Sequence, residues 1–109
     1  MDTLRLSEIG LTTSESIIYG SVLKLGICSV KDIAKESGFH RTNIYDILEQ
    51  LKEKGLIIFS NEGKTTMYGI SDPHNLYAVL EEKKEILDAL FPEIEKLRRQ
   101  SGNDVCVEV

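Results

Sequence analysis

The spacing of apolar residues changes at Gly55, and no other feature of the sequence constrains the fold as strongly. Before Gly55, apolar residues recur at intervals of three and four, as they do on one face of an α-helix. After it come two short β-branched runs, residues 56–60 and 65–70, separated by the glycine-containing segment 61–64. Two such runs joined by a short loop predict a β-hairpin. From Leu76 the helical spacing returns, so we expect helices on both sides of one hairpin.

The first strong helical pattern follows a predicted capping box. Thr12 and Glu15 have the spacing at which a hydroxyl and a carboxylate each accept a hydrogen bond from the other residue's backbone N–H. Behind them Ile18, Val22 and Leu25 recur on one helical face. The sequence therefore predicts a first helix that buries this face.

Two further helices are predicted with only a short link between them. Ser29 is the N-cap of the first, over residues 30–37, and residues 38–40 separate it from the second. The second carries a buried stripe formed by Ile44, Ile47, Leu48 and Leu51. Two short helices joined by a tight glycine-containing turn are typical of a helix-turn-helix. Because the hairpin follows directly, we predict a mostly α (α+β) fold, a winged helix-turn-helix with a long C-terminal dimerisation helix.

That long helix carries the spacing of a coiled coil, with apolar residues at alternating steps of four and three. The predicted dimerisation residues are Leu76, Leu80, Leu87, Leu90, Ile94 and Leu97. Lys83 is the one polar side chain on this seam, and Pro92, off the seam, is expected to bend or break the helix nearby. A small winged domain cannot cover a stripe this long by itself, so the pattern predicts a homodimer.

Length and composition set the domain organisation. The 109 residues match one ordinary domain, and 41% hydrophobic with 28% charged residues describe a soluble globular protein. We predict a winged domain over residues 1–71, the long helix over 72–101, and a tail or the start of a further domain over 102–109. No apolar run approaches the roughly 20 residues of a membrane span, and the N-terminus lacks the pattern of a signal peptide. We therefore expect a cytoplasmic protein without membrane contact.

No pattern of a catalytic or metal site is present in the sequence. Cys28, Cys106, His40 and His74 do not fall at any familiar metal-ligand spacing. Both thiols are expected to be reduced, because disulfides are rare in the cytoplasm. Neither a glycine-rich phosphate loop nor a nucleophile with a nearby base appears. We therefore predict no enzymatic activity, no cofactor and no metal.

A combination of short motifs carries a family resemblance over about residues 6–97. The motifs are Gly10-Leu11-Thr12, Glu15, Tyr19, Leu25-Gly26, Ile33-Ala34, Ser37-Gly38, Arg41, Tyr45, Leu48, Leu51 and Lys54-Gly55-Leu56. In this combination the chain resembles the TrmB-type archaeal transcriptional regulators. The resemblance implies a DNA-binding winged helix, dimerisation through the following helix, and usually a C-terminal domain that senses sugars or related metabolites.

The chain departs from this family pattern at three places. His40 stands where the family often has proline, and Asn43 stands where a basic residue is common. Most of the sensing domain is absent, and in longer relatives the chain enters a strand similar to residues 105–109, as expected of an N-terminal fragment. A small-molecule effector is therefore expected only if a C-terminal domain exists.

The third helix supplies the candidate DNA contacts. Its first turn presents an arginine and an asparagine, which pair with guanine and adenine edges in the major groove. Lys64, at the hairpin tip, is placed to touch a phosphate or the minor groove. The predicted residues for binding double-stranded DNA are Ser29, Lys31, His40, Arg41, Thr42, Asn43, Tyr45 and Lys64. The alternative interpretation of the same residues is that they cap the helix or are simply solvated.

Charge leaves a second function class open. The chain has a net charge of −5, and its segment between Phe39 and Tyr68 contains as many acidic as basic residues, whereas a strong DNA binder usually shows a basic face. Glu49 and Glu53 would repel phosphates, so only the N-terminal half of the third helix is expected to enter a groove. A winged helix that binds another protein is therefore the alternative to sequence-specific regulation, and salt-dependent affinity for duplex DNA separates the two.

Overall fold

The computed structural model describes residues 5–101, which form the predicted winged helix-turn-helix. The tail predicted over residues 102–109, together with Cys106, lies outside the described residues. The elements in chain order are a 3₁₀ turn (Leu6–Ile9), α1 (Thr13–Leu25), α2 (Val30–Ser37), α3 (Arg41–Glu53), β1 (Ile57–Glu62), β2 (Thr65–Ile70), a second 3₁₀ turn (Pro73–Asn75) and α4 (Leu76–Gln100). The described helices are all too short or too polar to span a membrane.

Local capping explains where the first two helices begin. The Thr12 hydroxyl accepts a hydrogen bond from the Glu15 N–H at 3.0 Å, and the Glu15 carboxylate accepts one from the Thr12 N–H at 2.9 Å. Ser29 and Asp32 form the same reciprocal pair at the start of α2, at 3.3 and 3.2 Å. Each capping box satisfies two backbone donors that have no partner inside the helix. The two boxes fix the starts of α1 and α2 as the sequence predicts.

The tight turn between α2 and α3 depends on Gly38. This residue has φ of +80° and ψ of +4°, a left-handed conformation that glycine adopts without a steric penalty. Its N–H donates to the carbonyl of Ala34, closing the end of α2. Only Phe39 and His40 then separate the two helices, so α3 starts immediately after the turn.

One hydrophobic core joins the four helices and the wing. Helices α1, α2 and α3 contribute Ile18, Tyr19, Val22, Val30, Ile33, Ile44, Ile47, Leu48 and Leu51, and the remaining buried apolar residues are Leu11, Cys28, Leu56, Ile57 and Val79. The prediction that Leu25 faces this core is wrong, since its side chain is 38% exposed. Residues 23–27 are all exposed, so the end of α1 extends past the edge of the core.

The wing is an antiparallel hairpin of β1 and β2. Their register runs from the Ile57–Ile70 pair at the root to the Glu62–Thr65 pair beside the turn. Gly63, with φ of +66°, occupies the first central position of the two-residue turn, where a tight hairpin needs a positive φ. Cys28 adds a single bridge to the free edge of β2 through two backbone hydrogen bonds with Tyr68, at 2.9 and 2.7 Å. This bridge ties the wing to the chain ahead of α2.

Of the two effects expected of Pro92, a bend or a break, the break is wrong, since helix α4 is continuous over 25 residues. Proline removes one backbone N–H, which leaves the carbonyl of Asp88 without its helical partner. The surrounding residues 86–94 are exposed, so water can bond to that carbonyl and the helix can continue. The molecule is correspondingly elongated, with extents of 63 × 25 × 25 Å.

Only the start of α4 packs against the winged domain. Val79 is buried in the core, and Leu76 packs against its edge. A Cβ built on Gly10 would lie 3.0 Å from Cε of Lys83 and 3.4 Å from Cγ1 of Val79, so the two segments approach closely. Lys83, which interrupts the predicted seam, therefore lies over the turn at Gly10. Beyond Lys83 the helix extends away from the domain.

Candidate nucleic-acid interface

The first turn of α3 presents its polar side chains to solvent. His40 occupies the N-cap position in an extended conformation, and its side chain makes no capping hydrogen bond. Arg41, Thr42 and Asn43 are exposed, and Tyr45 is 49% exposed. Ile44, between them, is fully buried and anchors the turn. The structure therefore brings these predicted recognition residues together on one accessible turn.

The other predicted DNA-binding residues lie on two different elements. Lys31 is exposed on the first turn of α2, and Lys64 is exposed at the wing tip. The oxygen of Ser29 accepts the capping bond from Asp32, so its hydroxyl has a structural role as well as a hydrogen to donate. Within residues 5–101, no ion pair involves Lys31, Arg41 or Lys64. Their charges are therefore available to a polyanion.

Lys54 has a structural partner that the sequence did not reveal. Its Nζ lies 2.7 Å from Oε1 of Glu15, joining the end of α3 to the first turn of α1. The side chain of Glu15 is only 3% exposed, and that of Lys54 is 27% exposed. The same Glu15 oxygen accepts the Thr12 N–H of the capping box. Lys54 therefore holds two helices together and is not available to bind phosphate.

A second group missed from the sequence lies where α3 meets the wing. The ammonium of Lys52 lies 2.7 Å from Oε2 of Glu49 and 4.4 Å from the centroid of the Phe59 ring. The Phe59 and Tyr68 rings lie side by side, with centroids 6.4 Å apart. Glu49, which the helical wheel places outward as a charge repelling phosphate, is thus paired with a cation. The sequence signal available for this group was the spacing of Tyr45, Glu49 and Lys52, four and then three residues apart, which places them on one side of the helix.

Two buried groups have shifted acidities with a structural cause. Burial raises the pKa of the Cys28 thiol to about 11, and the nearby Asp32 carboxylate adds to this shift. Burial also raises the pKa of the Tyr19 hydroxyl above its usual value. Both groups are therefore neutral at physiological pH, as expected of core residues. Across the described residues there is no group of three or more His, Cys, Asp or Glu side chains that could hold a metal ion.

The predicted dimerisation residues fall into two sets. Leu76 packs against the core of the winged domain, while Leu80, Leu87, Leu90, Ile94 and Leu97 are between 43% and 63% exposed. Ile86 and Phe91, which the heptad pattern omits, are exposed to a similar degree on the same helix. The apolar surface of α4 is therefore broader than a two-position seam.

Comparison with known proteins identifies the family. The model of the sugar-specific transcriptional regulator TrmB family matches residues 6–74, more than half of the chain. The HTH-type sugar sensing transcriptional regulator TrmBL1 of Pyrococcus furiosus is 38% identical over 95 residues, which are 87% of this chain and 26% of that protein. The solved structure of TrmBL2, described as an archaeal chromatin protein with a novel mode of DNA binding, superposes with a TM-score of 0.61 at 26% identity, covering 91% of this chain and 39% of that one.

A weaker similarity points to an unrelated activity. A tRNA-2-methylthio-N(6)-dimethylallyladenosine synthase of Shewanella pealeana is 30% identical over 83% of this chain, but the match covers 23% of that enzyme. The chain thus spans about a quarter of the length of the curated relatives it matches. The family model covers the three-helix domain and the wing, and the superposition with TrmBL2 extends over 91% of this chain. The chain belongs to the TrmB family of winged-helix transcriptional regulators.

Proposed function

We propose that this chain binds double-stranded DNA sequence-specifically, with the first turn of α3 in the major groove. The supporting observation is the exposure of Arg41, Thr42, Asn43 and Tyr45 on a helix whose opposite face is buried. Arginine and asparagine in this position can pair with guanine and adenine edges without any rearrangement of the fold. A regulator acts where the genome is, so we expect the protein in the cytoplasm.

Contacts to the phosphate backbone would come from the other two elements. Lys31 at the start of α2 and Lys64 at the wing tip flank the recognition turn in the chain and make no ion pair within the described structure. Such contacts orient a protein on the duplex but carry no base information. Asp46 and Glu53, exposed further along α3, would repel phosphates, so we assign the groove to the N-terminal half of this helix.

Site selection from a pool of random duplexes, followed by binding measurements on variants, tests the proposal. Asn43→Ala should cost about 1–3 kcal/mol, and the loss should be confined to one base position of the selected site. Arg41→Ala should weaken binding as well, evenly across sequences if its contact is to phosphate. Gln50→Ala, an exposed amide in the C-terminal half of α3, is the matched control and should bind as wild type. Unchanged affinity in both Asn43→Ala and Arg41→Ala would disprove the assignment.

A winged helix that binds another protein is the second candidate. The observation that favours it is the even balance of acidic and basic residues from Phe39 to Tyr68. Affinity for duplex DNA should fall steeply with salt if phosphates are contacted, because bound counterions are released. Absence of duplex binding even at low salt would favour the protein-binding function.

We also infer that the chain forms a two-fold homodimer along α4. Five predicted seam residues and three further large hydrophobic residues of this helix (Tyr77, Ile86 and Phe91) are exposed, and only its first turns contact the winged domain. A second copy of the same helix can bury this apolar surface, which would otherwise remain exposed to water. Such a dimer would present two recognition helices roughly 34 Å apart and read half-sites one helical turn apart. Regulation by a small-molecule effector would require a C-terminal sensing domain in addition to the winged domain and α4.

Sedimentation equilibrium tests the dimer directly. The wild-type chain should be dimeric at tens of micromolar, while the double variant Leu87→Glu with Leu90→Glu should be monomeric, because it places charges on the paired surface. Lys96→Glu, on the exposed side of the same helix opposite the seam, controls for the added charge and should remain dimeric. A monomeric wild type would refute both the dimer and the palindromic site.

A further inference from the structure

A second stripe of side chains runs along α3 beside its buried face. Tyr45, Glu49 and Lys52 are separated by four and three residues, so they lie on one side of the helix. Across from them the wing carries Phe59 and Tyr68, which are direct partners in the β1–β2 register. We call these five residues the wing brace. Tyr68 also packs against the edge of the core, and Tyr45 is the one member to which a contact with DNA has been assigned.

The contacts within the wing brace cross from the helix to the wing. Lys52 lies above the Phe59 ring while its ammonium pairs with Glu49, and the Phe59 ring lies against that of Tyr68. Burial raises the pKa of Tyr68, with smaller contributions from Tyr45 and Glu49, which raise it, and from Lys52, which lowers it. Tyr45, Glu49 and Lys52 on the helix therefore all lie close enough to Tyr68 on the wing to influence its ionisation.

The position of the wing brace along the hairpin determines what it can control. The Ile57–Ile70 pair roots the wing in the core, and the Phe59–Tyr68 pair is two steps further out. Three more pairs follow before the turn, and their side-chain hydrogen bonds, Ser60 to Glu62 and Thr66 to Asn61, stay within the wing. An isolated two-stranded hairpin is only marginally stable. The brace is thus the outermost described contact between the wing and α3.

We propose that the wing brace sets the position of Lys64 relative to the first turn of α3, which makes Phe59 and Lys52 positioning residues for DNA binding. This inference depends on the proposed function. Lys64 is five residues beyond Phe59, or about 16 Å at about 3.3 Å per residue. A rotation of about 10° at the brace would move the tip by about 3 Å, the length of one hydrogen bond. Without the brace, Lys64 would lose its phosphate contact.

A double-mutant cycle between Phe59 and Lys64 tests this proposal. The probe is a fluorescent mixed-sequence duplex of about 30 base pairs, roughly three helical turns, titrated by anisotropy at several salt concentrations. Lys64→Ala should reduce the slope of log affinity against log salt by about 0.9, which corresponds to about an eightfold weaker affinity at 0.1 M salt. Phe59→Ala should give the same two losses, and the double variant should lose nothing further. A residue that only stabilises the fold would leave the salt slope unchanged.

Two variants control for other causes. Phe59→Tyr keeps the ring under Lys52 and should retain the wild-type slope. Ile58→Ala, the next residue on the same strand, points to the opposite face and is exposed to a similar degree, 52% against 47% for Phe59, and it should also retain the slope. If Phe59→Ala does not fold, Lys52→Gln takes its place in the cycle, with the same expected losses.

The outcomes separate the brace from the proposed function itself. A wild-type chain that binds no duplex, or that is insensitive to Arg41→Ala, would overturn both proposals. If duplex binding and the effect of Arg41→Ala hold, but Lys64→Ala retains its full effect in the Phe59→Ala background, only the positioning role is refuted. Loss of the Lys64 effect in that background supports it.

Discussion

The ion pair between Glu15 and Lys54 provides the sharpest test of how the three-helix domain is held together. It joins α1 to the end of α3 at 2.7 Å, through a carboxylate whose side chain is 3% exposed. The variant Lys54→Met keeps the aliphatic stem of the lysine and removes only the ammonium. The carboxylate then retains the Thr12 N–H as a donor but loses its counter-ion inside the protein.

The expected cost follows from this burial. Removing one partner of a buried ion pair costs about 3–5 kcal/mol, because the remaining charge is left without compensation. Lys54 is about a quarter exposed, so water can reach the vacated position, and we expect the lower end, about 3 kcal/mol. For a domain of this size that loss lowers Tm by roughly 12–24 °C. Glu15→Gln should cost only about 1 kcal/mol, since its amide oxygen still accepts the Thr12 N–H and the lysine can turn to solvent.

Thermal and urea unfolding followed by circular dichroism, at one fixed protein concentration, measures these differences. Lys84→Met is the matched control because it breaks an exposed pair with Asp88, and it should change the unfolding free energy by less than about 1 kcal/mol. The double variant Glu15→Gln with Lys54→Met should be more stable than Lys54→Met alone, since no charge remains buried. If Lys54→Met loses no more than Lys84→Met, the pair does not stabilise the domain and this reasoning is refuted.

Two other perturbations have outcomes that the structure specifies. Burial raises the pKa of Cys28 from 9.0 to about 11, so the wild-type unfolding free energy should fall between pH 9 and pH 11, by an amount on the order of 2–3 kcal/mol. Cys28→Ala should remove this part of the pH dependence. A Cys28→Ala profile identical to that of the wild type would contradict the assignment. Gly10→Ala should cost about 1–3 kcal/mol in urea unfolding, because φ is +119° and the new Cβ would lie 3.0 Å from Lys83. Gly38→Ala, at a left-handed position with open space, should cost less. A larger loss of unfolding free energy in Gly38→Ala than in Gly10→Ala would argue against the contact between α4 and Gly10.

The amino-acid sequence by itself determined the elements and their order. The capping boxes at Thr12 and Ser29, the turn at Gly38 and the hairpin around Gly63 all depend on residues at most four positions apart. Interactions over such distances favour the same local structure wherever the segment occurs, so their signals can be read directly from the sequence. The exposed first turn of α3 follows from the same helical periodicity, which is why Arg41 and Asn43 can be predicted as recognition residues from the sequence alone.

Only the tertiary structure decided which polar side chains have a partner inside the domain and which are exposed without one among the described residues. Lys54 and Glu15 are 39 positions apart, and the sequence offers no reason to pair them until α1 and α3 pack together. The same is true of the Cys28–Tyr68 bridge, of Lys52 above Phe59, and of Lys83 lying over Gly10. At Pro92 the local sequence favours the end of a helix, yet the helix continues, because the carbonyl that loses its hydrogen bond can bond to water. Contacts between residues far apart in the sequence depend on packing. Packing in this domain pairs Lys52 with Glu49 and Lys54 with Glu15, whereas Lys31, Arg41 and Lys64 make no ion pair among the described residues and can contact a partner.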